Sequence, residues 1–366
     1  MLTQRGVAPY LLERGLVGAE SFVAGDLVVA DVSRRNRNFT AVCEHAASFL
    51  LKQGVAEDGR STVAHEALVY RHLQSVEARL ARYLPRYVGY DADQLILIVE
   101  LFRDARDLRE YHNRQGRFPS AVAAALGTAL ALLHSADHAE GGAGGVTDGL
   151  ATNPPWVLSL HRPQLATLQH LSIATLKAVK IIQRFPEYPE LLEGIRAGWM
   201  TETLVHGDLR WDNCLVVGRP RARKVDLRII DWELSGIGDA CWDVGCVFSE
   251  YLAYWVSSIP VTGPTPPEGF VALARHPLES MHPAITAFWN AYAKTMGLRE
   301  TASAERLLRS VRFAAVRLLQ KVYESHYHST QLTGNAVCLL QLGLNILRRP
   351  QEAAVQLLGV PLHTSS

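Results

Sequence analysis

Short apolar segments alternate with polar turns over the first hundred residues, and this pattern predicts β-strands. The predicted strands are 27–30, 39–43, 47–51, 87–90 and 94–101. One helix interrupts the series, because Thr62 can cap it and apolar residues then recur at helical spacing through Leu73. Residues 1–24 predict a short helical extension before the first strand.

From Leu108 the apolar period changes and predicts helices over most of the remaining chain. The predicted helical segments are 122–134, 159–198 (two or more helices), 285–296, 303–327 and 336–358. Two short strands, 214–217 and 225–232, are expected to form a hairpin. The pattern therefore predicts an α+β protein, with a small antiparallel sheet and one key helix in residues 1–102 and a larger, mostly helical part in residues 103–366.

The polar stretch from His206 to Asn213 suggests the chemistry. His206-x-Asp208-Leu, with Asn213 five residues after Asp208, follows the pattern of a kinase catalytic loop. Asp231 ends an apolar strand, where the same pattern has its main magnesium ligand. Phosphoryl transfer needs one carboxylate to orient the attacking hydroxyl, and an amide and a second carboxylate to hold metal. The sequence thus predicts a phosphotransferase that uses ATP and Mg²⁺, with Asp208 as the base and Asn213 and Asp231 as metal ligands.

Further charged residues fit this chemistry. Lys52, at the end of an apolar strand, is expected to reach the α- and β-phosphates and to pair with Glu66; the alternative is two surface charges. Arg210 is predicted to stabilise charge on the transferring phosphoryl group. His206 is expected to orient the metal loop, and His134 to be a packed or capping residue.

The hairpin expected to cover the phosphates departs from the kinase pattern, because residues 31–38 contain no glycine. Side-chain donors and positive charge from Ser33, Arg34, Asn36 and Arg37 are predicted to contact the nucleotide in place of glycine; a solvated polar turn is the alternative. Glu100 and Phe102 are placed at the hinge between lobes, where backbone groups would bind the adenine edge.

The order of these residues resembles the aminoglycoside phosphotransferase and choline kinase family. The resemblance rests on His206-Gly-Asp-Leu with Asn213, on Ile230-Asp-Trp-Glu233 and on Gly238-Asp followed by Asp243-Val-Gly245. It covers about residues 27–292 and implies a bilobal protein-kinase-like fold whose C-terminal helices shape the acceptor site. It also implies that Asp243 supports the structure by tying the catalytic loop to the next helix.

Composition adds limits on partners and compartment. With 48% hydrophobic and 20% charged residues, the 366-residue chain resembles an ordinary folded protein. Its net charge of +1 supplies no field for nucleic acid or a membrane, so we expect neither partner. The five scattered cysteines, with no N-terminal apolar run of signal-peptide length, predict reduced thiols in a cytoplasmic enzyme.

The acceptor is less constrained than the reaction. Arginines in the C-terminal third suggest a basic groove for an acidic acceptor, and the alternative is that many of them are simply solvated: Arg275, Arg299, Arg306, Arg309, Arg312, Arg317, Arg348 and Arg349. Segments 33–39 and 49–53 also look similar to precursor-peptide kinases of class V lanthipeptide-type and thioamide-peptide pathways. That resemblance implies Ser/Thr of a precursor peptide as acceptor, with a partner lyase that eliminates the phosphate. The alternatives are an aminoglycoside or other small alcohol as acceptor, and an inactive nucleotide-binding scaffold.

Overall fold

The structure is a computed structural model and describes residues 1–33, 36–54, 62–136, 153–164, 171–218, 225–260, 269 and 271–362. The strands are β1 (Leu27–Asp31), β2 (Arg37–Cys43), β3 (Phe49–Gln53), β4 (Tyr87–Asp91), β5 (Ile96–Glu100), β6 (Arg106–Asp107), β7 (Thr203–Val205), β8 (Cys214–Val217), β9 (Asp226–Ile229) and β10 (Gly236–Gly238). The helices are α1 (Gln4–Glu13), α2 (Ala19–Val23), α3 (Thr62–Val76), α4 (Ala78–Ala81), α5 (Leu108–Gln115), α6 (Ser120–Ser135), α7 (Ile173–Arg184), α8 (Glu187–Ala197), α9 (Ala240–Ser257), α10 (His282–Thr295), α11 (Glu300–Ser325), α12 (Gly334–Arg348) and α13 (Pro350–Glu352). The α+β class predicted from the sequence is confirmed.

The chain forms two compact units. Unit 1 takes the described residues of 1–111, 136–150 and 212–235, and unit 2 those of 112–135, 151–211 and 236–366. Unit 1 contains strands β1 to β6, β8 and β9, whereas unit 2 contains most of the helices together with β7 and β10.

Unit 1 is built on a five-stranded antiparallel sheet in the order β1-β2-β3-β5-β4. Burial alternates along β2 and β3, as expected of strands with one face on a core. Phe39 and Leu51 face a core that also contains Val7 and Leu11 of α1, so the N-terminal helix covers this side of the sheet. Lys52, next to Leu51 in β3, therefore projects from the opposite face.

A second, three-stranded sheet in unit 1 has the order β6-β8-β9. In its β8–β9 hairpin, Cys214 pairs with Ile229. This register places Asn213, just before β8, opposite Ile230, just after β9. The loop that leads into β8 and the loop that follows β9 therefore lie side by side.

Unit 2 is a set of helices that pack closely where glycine replaces a larger side chain. α6 packs on α10, and a Cβ at Gly127 would collide with the backbone oxygen of Phe288. α9 packs on α11 in the same way at Gly245. The two short strands β7 and β10 pair with each other, with Leu204 opposite Ile237.

One predicted helix is wrong in its extent. The segment 336–358 does not form one helix, because α12 ends at Arg348 and a new turn begins at Pro350, followed by a π-helical turn at Ala353–Leu357. The ring of proline excludes the helical hydrogen bond to its nitrogen and disfavours helical geometry at the preceding residue, Arg349.

The cysteines are free thiols, four of them buried and Cys338 partly exposed. Within the described part of the chain, no helix has both the length and the apolar character needed to span a bilayer.

Candidate active site

Lys52 and Glu66 form the ion pair that the sequence predicts in unit 1. Lys52 Nζ lies 2.8 Å from Glu66 Oε1 and 2.9 Å from Oε2. Both side chains are removed from solvent, with exposed fractions of 11% for Lys52 and 1% for Glu66. The alternative of two unrelated surface charges is therefore wrong.

Asp231 joins this pair. Lys52 Nζ donates to Asp231 Oδ1 at 2.6 Å, so the ammonium contacts two carboxylates. Burial opposes the charge on Lys52, but Glu66 and Asp231 outweigh it and raise the pKa of the ammonium. Asp231 has a φ of +70°, a left-handed conformation that is uncommon outside glycine and clusters at functional sites.

The β8–β9 hairpin brings Asn213 to the position beside Asp231. Ile230 N–H donates to the backbone oxygen of Asn213 at 3.0 Å, which continues the ladder by one residue past Cys214 and Ile229. Asn213 is buried. An amide and a carboxylate offer the oxygen donors that Mg²⁺ prefers, so the two residues fit the predicted metal.

Helix α3 also fixes the segment after Asp231. Glu66 Oε1 accepts from the backbone N–H of Trp232 at 3.3 Å, so one carboxylate holds both Lys52 and the segment that follows Asp231. His65 Nε2 lies 2.8 Å from the backbone oxygen of Ser235. Sequence reasoning missed His65, because its partner is a backbone atom 170 residues away and no side-chain pattern indicates that pairing.

The residues predicted to contact nucleotide from the first hairpin hold local structure. Ser33 Oγ accepts from Asn38 N–H at 3.0 Å and closes the turn between β1 and β2. Asn36 Nδ2 lies 3.4 Å from Thr62 Oγ1 at the start of α3. Arg34 lies outside the described residues. The nucleotide contacts of Ser33, Arg34 and Asn36 stay predictions.

Glu100 and Phe102, the predicted hinge residues, also have partners in unit 1. Glu100 Oε2 accepts from the backbone N–H of Arg86 at 3.1 Å. The guanidinium of Arg228 lies over the Phe102 ring, 4.9 Å from its centre. Arg228 is thereby added to the surroundings of the predicted adenine site.

In unit 2, the catalytic loop leaves β7 in a turn that needs glycine. Gly207 has a φ of +80°, which a residue with a side chain adopts at a cost. The backbone N–H groups of His206 and Gly207 donate to Asp243 at 2.7 and 3.0 Å. Trp242 Nε1 donates to the oxygen of Gly207 at 2.9 Å. The start of α9 therefore holds the loop through its backbone, as the resemblance implies for Asp243.

Asp243 is fully buried and has a third neighbour. His134 Nε2 lies 3.3 Å from Asp243 Oδ2, and His134 Nδ1 lies 3.0 Å from the hydroxyl of Tyr292. His134 is therefore packed within the unit, as expected. The ring of His206 has a local role, since its Nδ1 accepts from the backbone N–H of Asp208 at 3.3 Å. Its predicted support of the metal loop stays a prediction.

The carboxylate of Asp208 lies against two arginines. Arg317 Nη2 of α11 donates to Oδ1 at 2.7 Å, and Arg210 Nε lies 3.1 Å from Oδ2. Burial raises the pKa of Asp208, whereas Arg317 and Arg210 lower it. Arg210 thus touches the predicted base in this structure, and its contact with a phosphoryl group stays a prediction. Sequence reasoning placed Arg317 only in the basic groove and did not connect it with Asp208, which lies 109 residues earlier.

The predicted basic groove is wrong for most of its arginines. Arg306 pairs with Glu202, Arg309 with Asp239, Arg317 with Asp208 and Glu324, Arg348 with Glu187, and Arg349 with Glu352. Each of these five arginines is paired with a carboxylate of its own unit, although Arg348 and Arg349 keep 40% and 71% of their side chains exposed.

The fold and the two residue clusters define a kinase-like phosphotransferase, and a family comparison agrees. The family described as APH, the phosphotransferase enzyme family, matches residues 29–266, more than half of the 366-residue chain. The chain belongs to this family. It is therefore a phosphotransferase with an alcohol group as acceptor.

Solved structures with a similar fold are distant in sequence. A choline/ethanolamine kinase family protein from Mesorhizobium loti is 15% identical, with 95% of this chain and 96% of that chain covered and a TM-score of 0.51. The macrolide 2'-phosphotransferase MphH from Brachybacterium faecium is also 15% identical, with coverage of 92% and 100% and a TM-score of 0.43. A putative fructosamine-3-kinase from Thermobifida fusca is 17% identical, with coverage of 88% and 93% and a TM-score of 0.47. No curated protein matches the chain.

Proposed function

We propose that the protein is a kinase that uses ATP and Mg²⁺ to phosphorylate a hydroxyl group of a small molecule. The contact of Lys52 with both Glu66 and Asp231 carries this proposal, because a buried lysine between two carboxylates suits phosphate and metal binding together. A scaffold that only binds nucleotide has no chemical need for Asp208 in addition to Lys52, Glu66, Asn213 and Asp231.

Residues of unit 1 would bind the nucleotide. Lys52 would hold the α- and β-phosphates as a point charge, with its position set by Glu66. Asn213 and Asp231 would hold Mg²⁺. When bound, the metal would neutralise the charge that develops on the phosphates.

Residues of unit 2 would act on the acceptor. Asp208 would accept a hydrogen bond from the attacking hydroxyl and orient it. His206, Gly207 and Asp243 would hold Asp208 in place through the backbone of the loop. Arg210 is well placed beside Asp208 to interact with charge on a bound phosphoryl group.

A small molecule is favoured over a precursor peptide as acceptor. One of the two grounds for the peptide hypothesis was a basic groove for an acidic leader, and five of its eight arginines are already paired within unit 2. The solved relative with the highest TM-score reported above belongs to a choline/ethanolamine kinase family, which also favours a small alcohol.

The test is ADP release from MgATP over a panel of acceptors, with phosphorylated product identified by mass spectrometry. The panel contains choline and ethanolamine, aminoglycosides, macrolides, and Ser/Thr peptides with acidic leaders. We expect acceptor-dependent ADP release with a small alcohol and none after chelation of Mg²⁺. Phosphorylation of the peptides alone would favour the peptide hypothesis and a partner lyase. Absence of nucleotide binding would contradict the proposed function itself.

A further inference from the structure

Arg317 is a buried cation in contact with the predicted base. It lies on α11 with 1% of its side chain exposed, and its two Nη atoms reach different carboxylates. Nη2 donates to Asp208 Oδ1 at 2.7 Å, and Nη1 donates to Glu324 Oε1 at 2.9 Å. Gln320 also donates to Glu324 Oε1, at 2.8 Å. Arg317, Gln320 and Glu324 recur at helical spacing, so one face of α11 supplies the whole group.

Packing alone does not account for an arginine here. A guanidinium is costly to bury unless carboxylates and hydrogen bonds compensate it, and an apolar side chain of similar volume is often as stable in such a place. Arg317 Nε is buried without a hydrogen-bond partner in the described part of the chain. Arg306 and Arg309, on the same helix, keep 24% and 27% of their side chains exposed. Among these three arginines, Arg317 alone is fully buried.

The two oxygens of Asp208 have different surroundings. Oδ1 faces buried Arg317, whereas Oδ2 faces Arg210, which keeps 36% of its side chain exposed. A partly exposed side chain exchanges its partners more easily than a buried one, because water and rotamer freedom are available to it. Arg317 therefore constrains Oδ1 more firmly than Arg210 constrains Oδ2.

We propose that Arg317 is a positioning residue for the phosphotransfer described above, an inference that rests on that function. It fixes Asp208 through Oδ1 and leaves Oδ2 to accept the proton of the acceptor hydroxyl. In that step the O–H bond of the acceptor breaks and its proton passes to Oδ2. The acceptor oxygen uses the freed electron pair to bond the γ-phosphorus, and the bond from that phosphorus to the bridging oxygen breaks, with its electrons leaving on ADP.

Charges around Asp208 make the inference testable by pH. The groups around it include Arg317, Glu324, Arg210 and His206, and the buried thiol of Cys246 on α9. Burial raises the pKa of Asp208, Arg317, Arg210 and His206 lower it, and Glu324 raises it. Removal of Arg317 should therefore raise the pKa of Asp208, and removal of the Glu324 charge should lower it. An Arg317 that only filled space in unit 2 would leave the pKa of Asp208 and the pH profile unchanged when it is replaced.

The experiment compares Arg317→Met, Arg317→Lys and Glu324→Gln with the matched control Arg306→Met, which removes an arginine of the same helix that pairs with Glu202. Arg317→Met should lower kcat about 100-fold, since misplacement of a catalytic group has effects of this size, with KM for ATP unchanged. Arg317→Lys should restore part of the loss. Arg306→Met should keep kcat within about twofold of the unmodified protein, because a partly exposed ion pair contributes little.

The titration of Asp208 supplies a readout that needs no acceptor. It is followed by the carboxyl carbon resonance that disappears in Asp208→Asn. The acid limb of the kcat profile and this titration should move to higher pH in Arg317→Met and to lower pH in Glu324→Gln. If Arg317→Met fails to fold, kcat and the titration of Asp208 in Glu324→Gln and Arg317→Lys still test the inference. Unchanged titration and kcat in these variants would overturn the inference, whereas an unmodified protein without transferase activity would count against the proposed function only.

Discussion

The two carboxylates at the centre of the proposed chemistry are held in different ways. Asp231 of unit 1 contacts a lysine, has a left-handed backbone and keeps 31% of its side chain exposed. Asp208 of unit 2 contacts a fully buried arginine and keeps 16% of its side chain exposed. Asp231 is paired with Lys52, which the proposed function assigns to phosphate binding. Asp208 is paired with Arg317, which has no proposed role other than this contact.

This difference separates a contact that changes during the reaction from one that persists. For Asp231 to hold metal, Lys52 must turn from its carboxylate to the phosphates, which an ammonium on a flexible stem can do. Arg317 has no such alternative, because its remaining partner is Glu324 on its own helix. The predictions below test this contrast, beginning with the largest expected effect.

Asp208→Ala removes the carboxylate of unit 2 and its contact with Arg317. The loss of the base should reduce phosphate transfer by about 10²- to 10⁴-fold, the usual contribution of general acid–base catalysis, while nucleotide affinity stays unchanged. Steady-state kinetics and calorimetry measure the two quantities. Asp212→Ala is a suitable control, because this nearby carboxylate is 44% exposed and pairs with Arg109 at the surface. Near-normal turnover of Asp208→Ala would show that the base is another residue.

Asp231→Asn replaces the carboxylate of unit 1 with a neutral amide. Asparagine is used because it tolerates the left-handed backbone at this position. The substitution removes one negative charge from a predicted metal ligand. It should weaken Mg²⁺-dependent nucleotide binding by about 100-fold, or roughly 3 kcal/mol. Calorimetry with and without Mg²⁺ measures it. Asp231→Ala should lose about 1 kcal/mol of stability in addition, because alanine is disfavoured at positive φ. Metal-dependent affinity that survives in both variants would remove Asp231 from the metal site.

The sequence predicted the unit 1 cluster more completely than the unit 2 cluster, and the reason is physical. Lys52, Glu66 and Asp231 follow recognisable strand and helix ends, so their spacing along the chain carries the information. Arg317 lies in the middle of an amphipathic helix, where an arginine normally faces solvent. Only the packing of α11 against α9 turns it toward Asp208, and packing of that kind leaves no local pattern in the sequence.

A pH series tests how the unit 2 loop is supported. The ring centres of His112 and Trp211 are 4.7 Å apart. Burial lowers the pKa of His112 to about 4. Below its unfolded pKa of about 6.5, the unfolded chain binds a proton that the folded chain does not, so stability falls as pH falls toward 4. The loss should reach about 2 kcal/mol at pH 5. Denaturant unfolding at pH 7 and pH 5 measures it.

The matched variant is His112→Gln, which keeps a donor for the oxygen of Arg117, 3.1 Å from His112 Nδ1. Its stability relative to the unmodified protein should improve on going from pH 7 to pH 5, since the titrating group is gone. Equal pH dependence of the two proteins would show that His112 does not titrate on unfolding.

Gly245→Ala disturbs the contact between α9 and α11, the helix that carries Arg317. It therefore tests whether that packing supports Asp208. A Cβ there would lie 2.7 Å from Phe313 Cβ and 2.8 Å from the backbone N of Ala314. We expect a loss of about 1 to 3 kcal/mol, as for other overpacked sites, with reduced kcat and unchanged nucleotide affinity. The control Gly194→Ala lies in a helix with open space around it and should be neutral or stabilising by up to about 1 kcal/mol. Equal stability of the two variants would contradict this packing.

The burial of Asp243 has a consequence for how far the base can travel. Its oxygens accept hydrogen bonds from the backbone N–H groups of His206 and Gly207, so detaching that turn would leave a buried carboxyl group with fewer donors. Local opening of the turn would therefore cost about 1 to 3 kcal/mol for each hydrogen bond left unmade. An acceptor has to approach a base whose turn is tied to α9 at His206 and Gly207.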